Sequence, residues 1–190
     1  MSVPTRKAPA GGCSGTRPFF VGAKGPITGT ILRVVVLGTL AATGCTPKQP
    51  LANTYKSAEA LASAVLEAVR AGDRARLDAL ALSEQEFQDH VWPELPAARP
   101  ERNLPLSYVW GDLQQKSAAA LANTVTRQAV HSYELRGVTF STTTPYAGYR
   151  VHRDAVFRVQ DATGTETDIR LCGSMIERDG GWKVFSYVID

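Results

Sequence analysis

The stretch RDGGWKVFSYVID, residues 178–190, decides the fold. Asp179-Gly180 is a dipeptide that accepts the two positive-φ positions of a two-residue hairpin turn. It separates two runs that read as strands, and the pairing it predicts sets Met175 against Val184, Gly173 against Ser186 and Leu171 against Val188. Working backwards, extended segments are expected at about 132–143, 148–160, 166–178 and 181–189. The turn Asp161-Ala162-Thr163-Gly164 joins the second and third. It admits two registers one residue apart, and a slip between them inverts a whole face. Placing Gly164 in a left-handed, bulge-forming position opposes apolar to apolar. Phe157 then faces Ile169, Ala155 faces Leu171 and Val151 faces Met175.

Upstream of the strands the signals are helical. Ser57 caps a helix carrying Leu61, Val65 and Val69 on one face and ending at Gly72. Asp73 caps a second, with Leu77, Leu80 and Ala81 apolar. Ser83-Glu84-Gln85-Glu86 has capping-box spacing and opens a short helix through Phe87 and His90 to about Trp92. Pro93, Pro96 and Pro100 forbid regular helix beyond it. Pro105 suits the first turn of a long helix whose apolar positions step through Leu106, Val109, Trp110, Leu113, Ser117, Ala120, Leu121 and Val125.

Helices followed by a sheet of hairpins make an α+β fold, with N-terminal helices packed on an antiparallel sheet. The element order, the helical ALASAVLEAVRAGDRARLDALAL and the terminal RDGGWKVFSYVID together resemble the nuclear transport factor 2-like superfamily. The resemblance covers roughly residues 55–190. It implies a curved, cone-like sheet whose concave side the helices close. The superfamily holds isomerases, dehydratases, cyclases, transport factors and purely binding domains, so it implies no single activity.

The first 44 residues carry Arg6, Lys7, Arg17, Lys24 and Arg33 and no Asp or Glu. From Cys45 onward 16 Lys+Arg face 18 Asp+Glu, so a basic leader precedes a mildly acidic body. That asymmetry points to targeting, and without a basic stripe interleaved with aromatics nucleic acid is not an expected partner. The apolar run Val34–Ala42 is too short to span a bilayer well but fits the core of a signal peptide. It ends in Ala42-Thr43-Gly44-Cys45, which resembles the box of bacterial lipoproteins, with small residues ahead of the cysteine. The resemblance implies a diacylglycerol thioether on Cys45, cleavage before it and acylation of the new amine. Two or more chains make a stable anchor. The chemistry needs a thiolate, which a lipid donor can alkylate near neutral pH. Thr46 in place of Asp after the anchor implies, by the family's rule, the outer membrane facing the periplasm if the host is Gram-negative. The other reading is an ordinary leader with an incidental cysteine. The expected organisation is thus a leader over 1–44, a lipidated cysteine and tether over 45–55, and one domain over 56–190.

Inside the domain one position breaks its stripe. Arg153 interrupts Val151, Ala155, Phe157 and Val159, and in the chosen register it opposes Gly173, which opposes Ser186. A long cation facing two small residues suggests space, and Tyr149, Glu177 and Trp182 would continue the same face. Three readings follow. Either Arg153 holds a carboxylate or other anion in a cleft, or it pairs with Glu177 or a helix carboxylate, or the chosen register is wrong. His152 and Asp154 share the opposite face with Arg158 and Gln160 and read as solvated strand residues. Cys172 reads as a small buried residue. No Cys or His grouping has metal-ligand spacing, and no cofactor is expected.

The last strand is apolar on both sides, with Phe185, Tyr187 and Ile189 facing away from Trp182, Val184 and Val188. Either that face is an interface, to a second copy or an envelope partner, or the Pro-rich segment with Trp92 and Leu95 covers it. The function expected is therefore a membrane-anchored binding or interaction module, with a small anionic or apolar ligand. The alternative is an isomerase- or dehydratase-type enzyme using Arg153 and Tyr149, for which no catalytic residues can be matched.

Overall fold

The computed structural model describes residues 49–128 and 131–189. The leader and Cys45 lie outside them. Helix α1, Ala58–Ala71, starts where the Ser57 hydroxyl accepts the Ala60 amide. It ends at Gly72, whose φ of 63° lets its own N–H and that of Asp73 close on the carbonyls of Val69 and Ala68. Helix α2, Arg74–Leu80, begins on the Asp73 carboxylate, which accepts the Arg76 amide. The capping box of Ser83 and Glu86 opens α3, Glu84–Glu86, which runs on as a π turn over Phe87–Val91. Each of three 3-10 turns that follow (Trp92–Glu94, Pro96–Ala98 and Pro100–Arg102) has proline in its first positions, where no amide is needed. Helix α4 spans Leu106–Gln128 and buries Ser117, Leu121 and Thr124.

Among the described residues seven strands follow: β1 Glu134–Thr139, β2 Thr142–Pro145, β3 Arg150–Arg153, β4 Val156–Gln160, β5 Glu166–Ile169, β6 Ser174–Arg178 and β7 Gly181–Ser186. They make two antiparallel sheets, ordered β1-β4-β5 and β2-β3-β6-β7. The fold is α+β, but three of the four long strands expected are each broken in two. The breaks fall side by side: Ser141 donates its amide to Arg153, and Ala155 donates to Gly173. At the middle break Asp154 takes a left-handed φ of 54° and its carboxylate accepts the Ser141 hydroxyl.

Local turn chemistry came out as the residues dictate. Asp179 and Gly180 have φ of 52° and 75°, the two positive values of a type I′ turn, and Gly164 has φ of 88°. Phe157 faces Ile169 and Met175 faces Val184. Past the breaks the expected register fails by one. Val151 faces Ile176, not Met175, and Arg153 faces Ser174, not Gly173. Five residue steps separate Ile169 from Ser174 where four separate Phe157 from Arg153, so segment 170–173 holds the extra residue. A second irregularity, with Phe185 as the extra residue, sets Ser174 against Ser186.

That slip puts hydrophobic cores on both faces of the four-stranded sheet. On one face Met175 and Val184 join Leu61, Val65, Leu77 and Leu121 from the helices, with Phe157 and Val159 from the other sheet. On the other face Val151 and Ile176 join Leu51, Leu82, Phe87, Val91 and Tyr149, with Trp92, Leu95, Trp110, Leu113 and Phe185 packed around them. Each fully buried Leu, Val or Phe contributes roughly 1.5–3 kcal/mol. The second core is why β7 is apolar on both sides. Among the described residues no helix is long and apolar enough to cross a membrane.

Candidate functional site

The second core does not close completely. Between the first half of α4, the turn at Leu95 and the four-stranded sheet lies a cleft of about 550 Å³. This is within the range of small-molecule sites. Its wall is apolar, formed by Phe87 from the π turn, Leu95, Val109 and Leu113 from α4, and Val151, Phe185 and Val188 from the sheet side. Tyr146 and Tyr149 add a stacked pair with ring centres 4.5 Å apart and planes 12° from parallel. The Tyr149 hydroxyl donates to the Val91 carbonyl at 3.4 Å. Burial, with smaller contributions from Tyr146 and Glu94, pushes its phenol far above the ordinary range, so it stays neutral.

The polar groups are few. Asp112 and Lys116, one helical turn apart on α4, pair at 2.8 Å. Asp154 is engaged by Ser141. Arg153 is exposed at the cleft, and its guanidinium makes no hydrogen bond or ion pair among the described residues. Ser174 stands directly across from it in the β3–β6 register and lines the same cleft.

Of the six residues the sequence marks for a pocket, Arg153, Tyr149, Gly173 and Ser186 line this cleft. Gly173 does so for a different reason than expected. A Cβ there would lie 1.6 Å from the Val188 carbonyl oxygen, so the glycine admits a crossing backbone instead of leaving room beside Arg153. Glu177 and Trp182 face the other way, because a one-residue slip reverses a face. Glu177 bonds Arg150 at 3.0 Å and His152 at 3.3 Å, so it does not neutralise Arg153. Trp182 stacks on the His152 imidazole at 4.5 Å, and Phe140 approaches it from 4.9 Å.

His152 is thus a buried residue and not a solvated one, 8% exposed. Thr143 holds its Nδ1 at 2.9 Å and Glu177 its Nε2, so both ring nitrogens are occupied. Asp154 does not share its face, since the left-handed turn breaks the strand's alternation. Cys172 is fully buried and its thiol is pushed up to about 12 by burial, which removes it as a nucleophile. Among the described residues no three of His, Cys, Asp or Glu are grouped to hold a metal ion.

The three residues marked for an interface divide. Phe185 packs into the second core beside Leu95 and Trp92, as the Pro-rich covering would have it. Tyr187 is 2% exposed, donates its amide to the Ser117 hydroxyl at 3.0 Å and donates its own hydroxyl to the Leu77 carbonyl at 2.7 Å. Ile189 is exposed. The reason is the helical cover on both faces, which leaves Phe185 and Tyr187 no open sheet face to form.

Sequence reasoning missed Phe87, Val109, Leu113, Asp112 and Lys116 as cleft residues. Val109 and Leu113 stand on the apolar stripe of α4, and Asp112 and Lys116 have the spacing of a helical ion pair. Nothing in that stripe tells a cleft wall from a closed core. A smaller cleft of about 240 Å³ lies between α1 and β1, where Glu67 is already engaged by Arg76. The chain therefore presents an α+β domain with one roomy, mostly apolar cleft and one free cation at it among the described residues. Comparison with protein-family models, curated proteins and solved structures finds no match.

Proposed function

We propose that this protein is a lipid-anchored lipoprotein of the bacterial envelope whose domain, of nuclear transport factor 2-like kind with a cone-like sheet, binds a small ligand in the cleft beside Arg153. The observation that carries the binding reading is a guanidinium, unpaired among the described residues, standing over an apolar wall of tyrosine, leucine and valine side chains. Such a pairing of one polar group with an apolar enclosure fixes a ligand's orientation while its body leaves water. The anchor rests on the leader and on Cys45. Binding is favoured over catalysis because the hydroxyl of Tyr149, the tyrosine given a role in the enzyme alternative, is turned to the Val91 carbonyl. With Phe185 and Tyr187 covered, the reading does not draw on a sheet-face partner.

The test compares the full-length protein with Leu113→Arg, which projects a charged chain into the cleft. Solvent extracts of the purified proteins are compared by mass spectrometry. A small molecule present at near-equal ratio with the wild type and lost from the variant supports the reading. Identical extracts from both proteins contradict it.

A further inference from the structure

Resting on that reading of the cleft, the geometry points to the ligand's class: an amphipathic monoanion, a single carboxylate on an apolar body. Among the described residues the charges at the cleft are two of each sign, Arg153 and Lys116 against Asp112 and Asp154. They are not equivalent. Lys116 is satisfied by Asp112 at 2.8 Å, and the pair holds its ammonium charged. Asp154 is turned to Ser141 across the strand break. One cation remains, and a single guanidinium with its planar fork of donors matches one carboxylate in a bidentate geometry. The Ser174 hydroxyl, across the register from Arg153, stands on the same side to supply a further donor.

The same bookkeeping argues against other anions. A phosphate monoester brings nearly two charges at neutral pH, and here the second would face Asp112 and Asp154 with no cation left over. A neutral apolar ligand would leave Arg153 unused, and a cationic one would be repelled by it. The remaining wall offers no further charge, so the ligand's body is apolar. A cleft of about 550 Å³ holds one chain or ring system and is small for a two-chain lipid. The stacked Tyr146 and Tyr149 supply broad, rigid surface for that body.

The probes are decanoate, decanol, decylamine and decyl phosphate, one chain with four heads. Each is titrated calorimetrically, below its micelle concentration, into the full-length protein in lipid nanodiscs with empty discs as blank. Decanoate should bind at least about tenfold tighter than decanol, as a charge-assisted hydrogen bond warrants, and decylamine weakest. Arg153→Gln should bring decanoate and decanol level, and Arg153→Lys should restore part of the preference. Arg153 is exposed, so unchanged circular dichroism is expected for both variants. Equal affinity for decanoate and decanol in the wild type, or a preference that survives Arg153→Gln, overturns the assigned head while leaving a binding cleft. Decyl phosphate binding tighter than decanoate overturns the single-charge argument. No heat above the blank with any probe overturns the cleft as an amphiphile site, and the reading beneath it.

Discussion

Glu86 and Lys183 lie 97 residues apart in the chain and meet in the interior, with Nζ to Oε2 at 2.8 Å. Their side chains are 10% and 3% exposed. Glu86 also accepts the amides of Ser83 at 2.8 Å and Ala52 at 2.7 Å, so one carboxylate joins the segment before α1, the start of α3 and the middle of β7. Removing it strands a buried ammonium, which costs about 3–5 kcal/mol. Glu86→Ala should therefore lose most of the protein's stability in urea unfolding. The double variant Glu86→Leu with Lys183→Met should lose less than Glu86→Ala alone. A double variant at least as unstable as the single would show that the charges themselves are not what is missed.

The same pair sets a pH dependence. Burial raises the Glu86 carboxyl pKa, but the bonds from Lys183, Ser83 and Ala52 outweigh it and leave the pKa below its ordinary 4.5. A depressed carboxylate contributes stability that is complete above the unfolded value and is lost as pH falls through the folded one. The urea midpoint of the wild type should hold to about pH 4.5 and fall below it, while that of Glu86→Gln should fall less over the same range. Parallel acid profiles would contradict this.

Two glycines should answer alanine with opposite signs. Gly173→Ala would drive a methyl into the Val188 carbonyl, 1.6 Å away, and both are backbone-held. A loss of at least about 3 kcal/mol is expected, at the upper end of overpacking costs. Gly111 stands inside α4 with nothing within 4 Å of its would-be Cβ. Gly111→Ala should stabilise by about 0.5–1 kcal/mol through helix propensity. Thermal unfolding of the two variants decides both signs.

Tyr187→Phe removes the donor to the Leu77 carbonyl, one of the last four of α2, which the helix itself does not satisfy. About 1–2 kcal/mol should be lost with little change in packing. Urea titration with an unchanged slope and a lower midpoint would match. An unchanged midpoint would mean that carbonyl finds another donor.

Cys45→Ser tests the anchor separately. The wild type should sediment with membranes and the variant should not, by immunoblot of fractionated cells. A variant that still sediments would contradict lipid attachment at this residue and would leave the cleft untouched.

The legibility of this chain follows how local each decision is. Caps at Ser57, Asp73 and Ser83, and the turns at Gly164 and Asp179-Gly180, need only neighbouring residues, and all were readable. The strand breaks were not. Segment 170–173 carries an extra residue and Val188 crosses over Gly173 within it, a close approach that no residue type in the segment announces. That one step turned Glu177 and Trp182 away from the cleft and left Arg153 opposite Ser174. Arg153 itself was visible because a cation in an apolar stripe is anomalous under any register. The helical wall of the cleft was written in α4, but as an apolar stripe that a closed core would share. Lys183 gave no sign of its partner, since nothing local links a β7 lysine to a helix cap.

The most direct measurement of the binding claim is photo-crosslinking with a diazirine-bearing decanoate on the full-length protein, followed by peptide mapping. The account predicts that label falls on the α4 residues Val109–Leu113 or on the Tyr146–Tyr149 turn, and that unlabelled decanoate competes it away. Label distributed over the exposed surface, or confined to the cleft between α1 and β1, would contradict it.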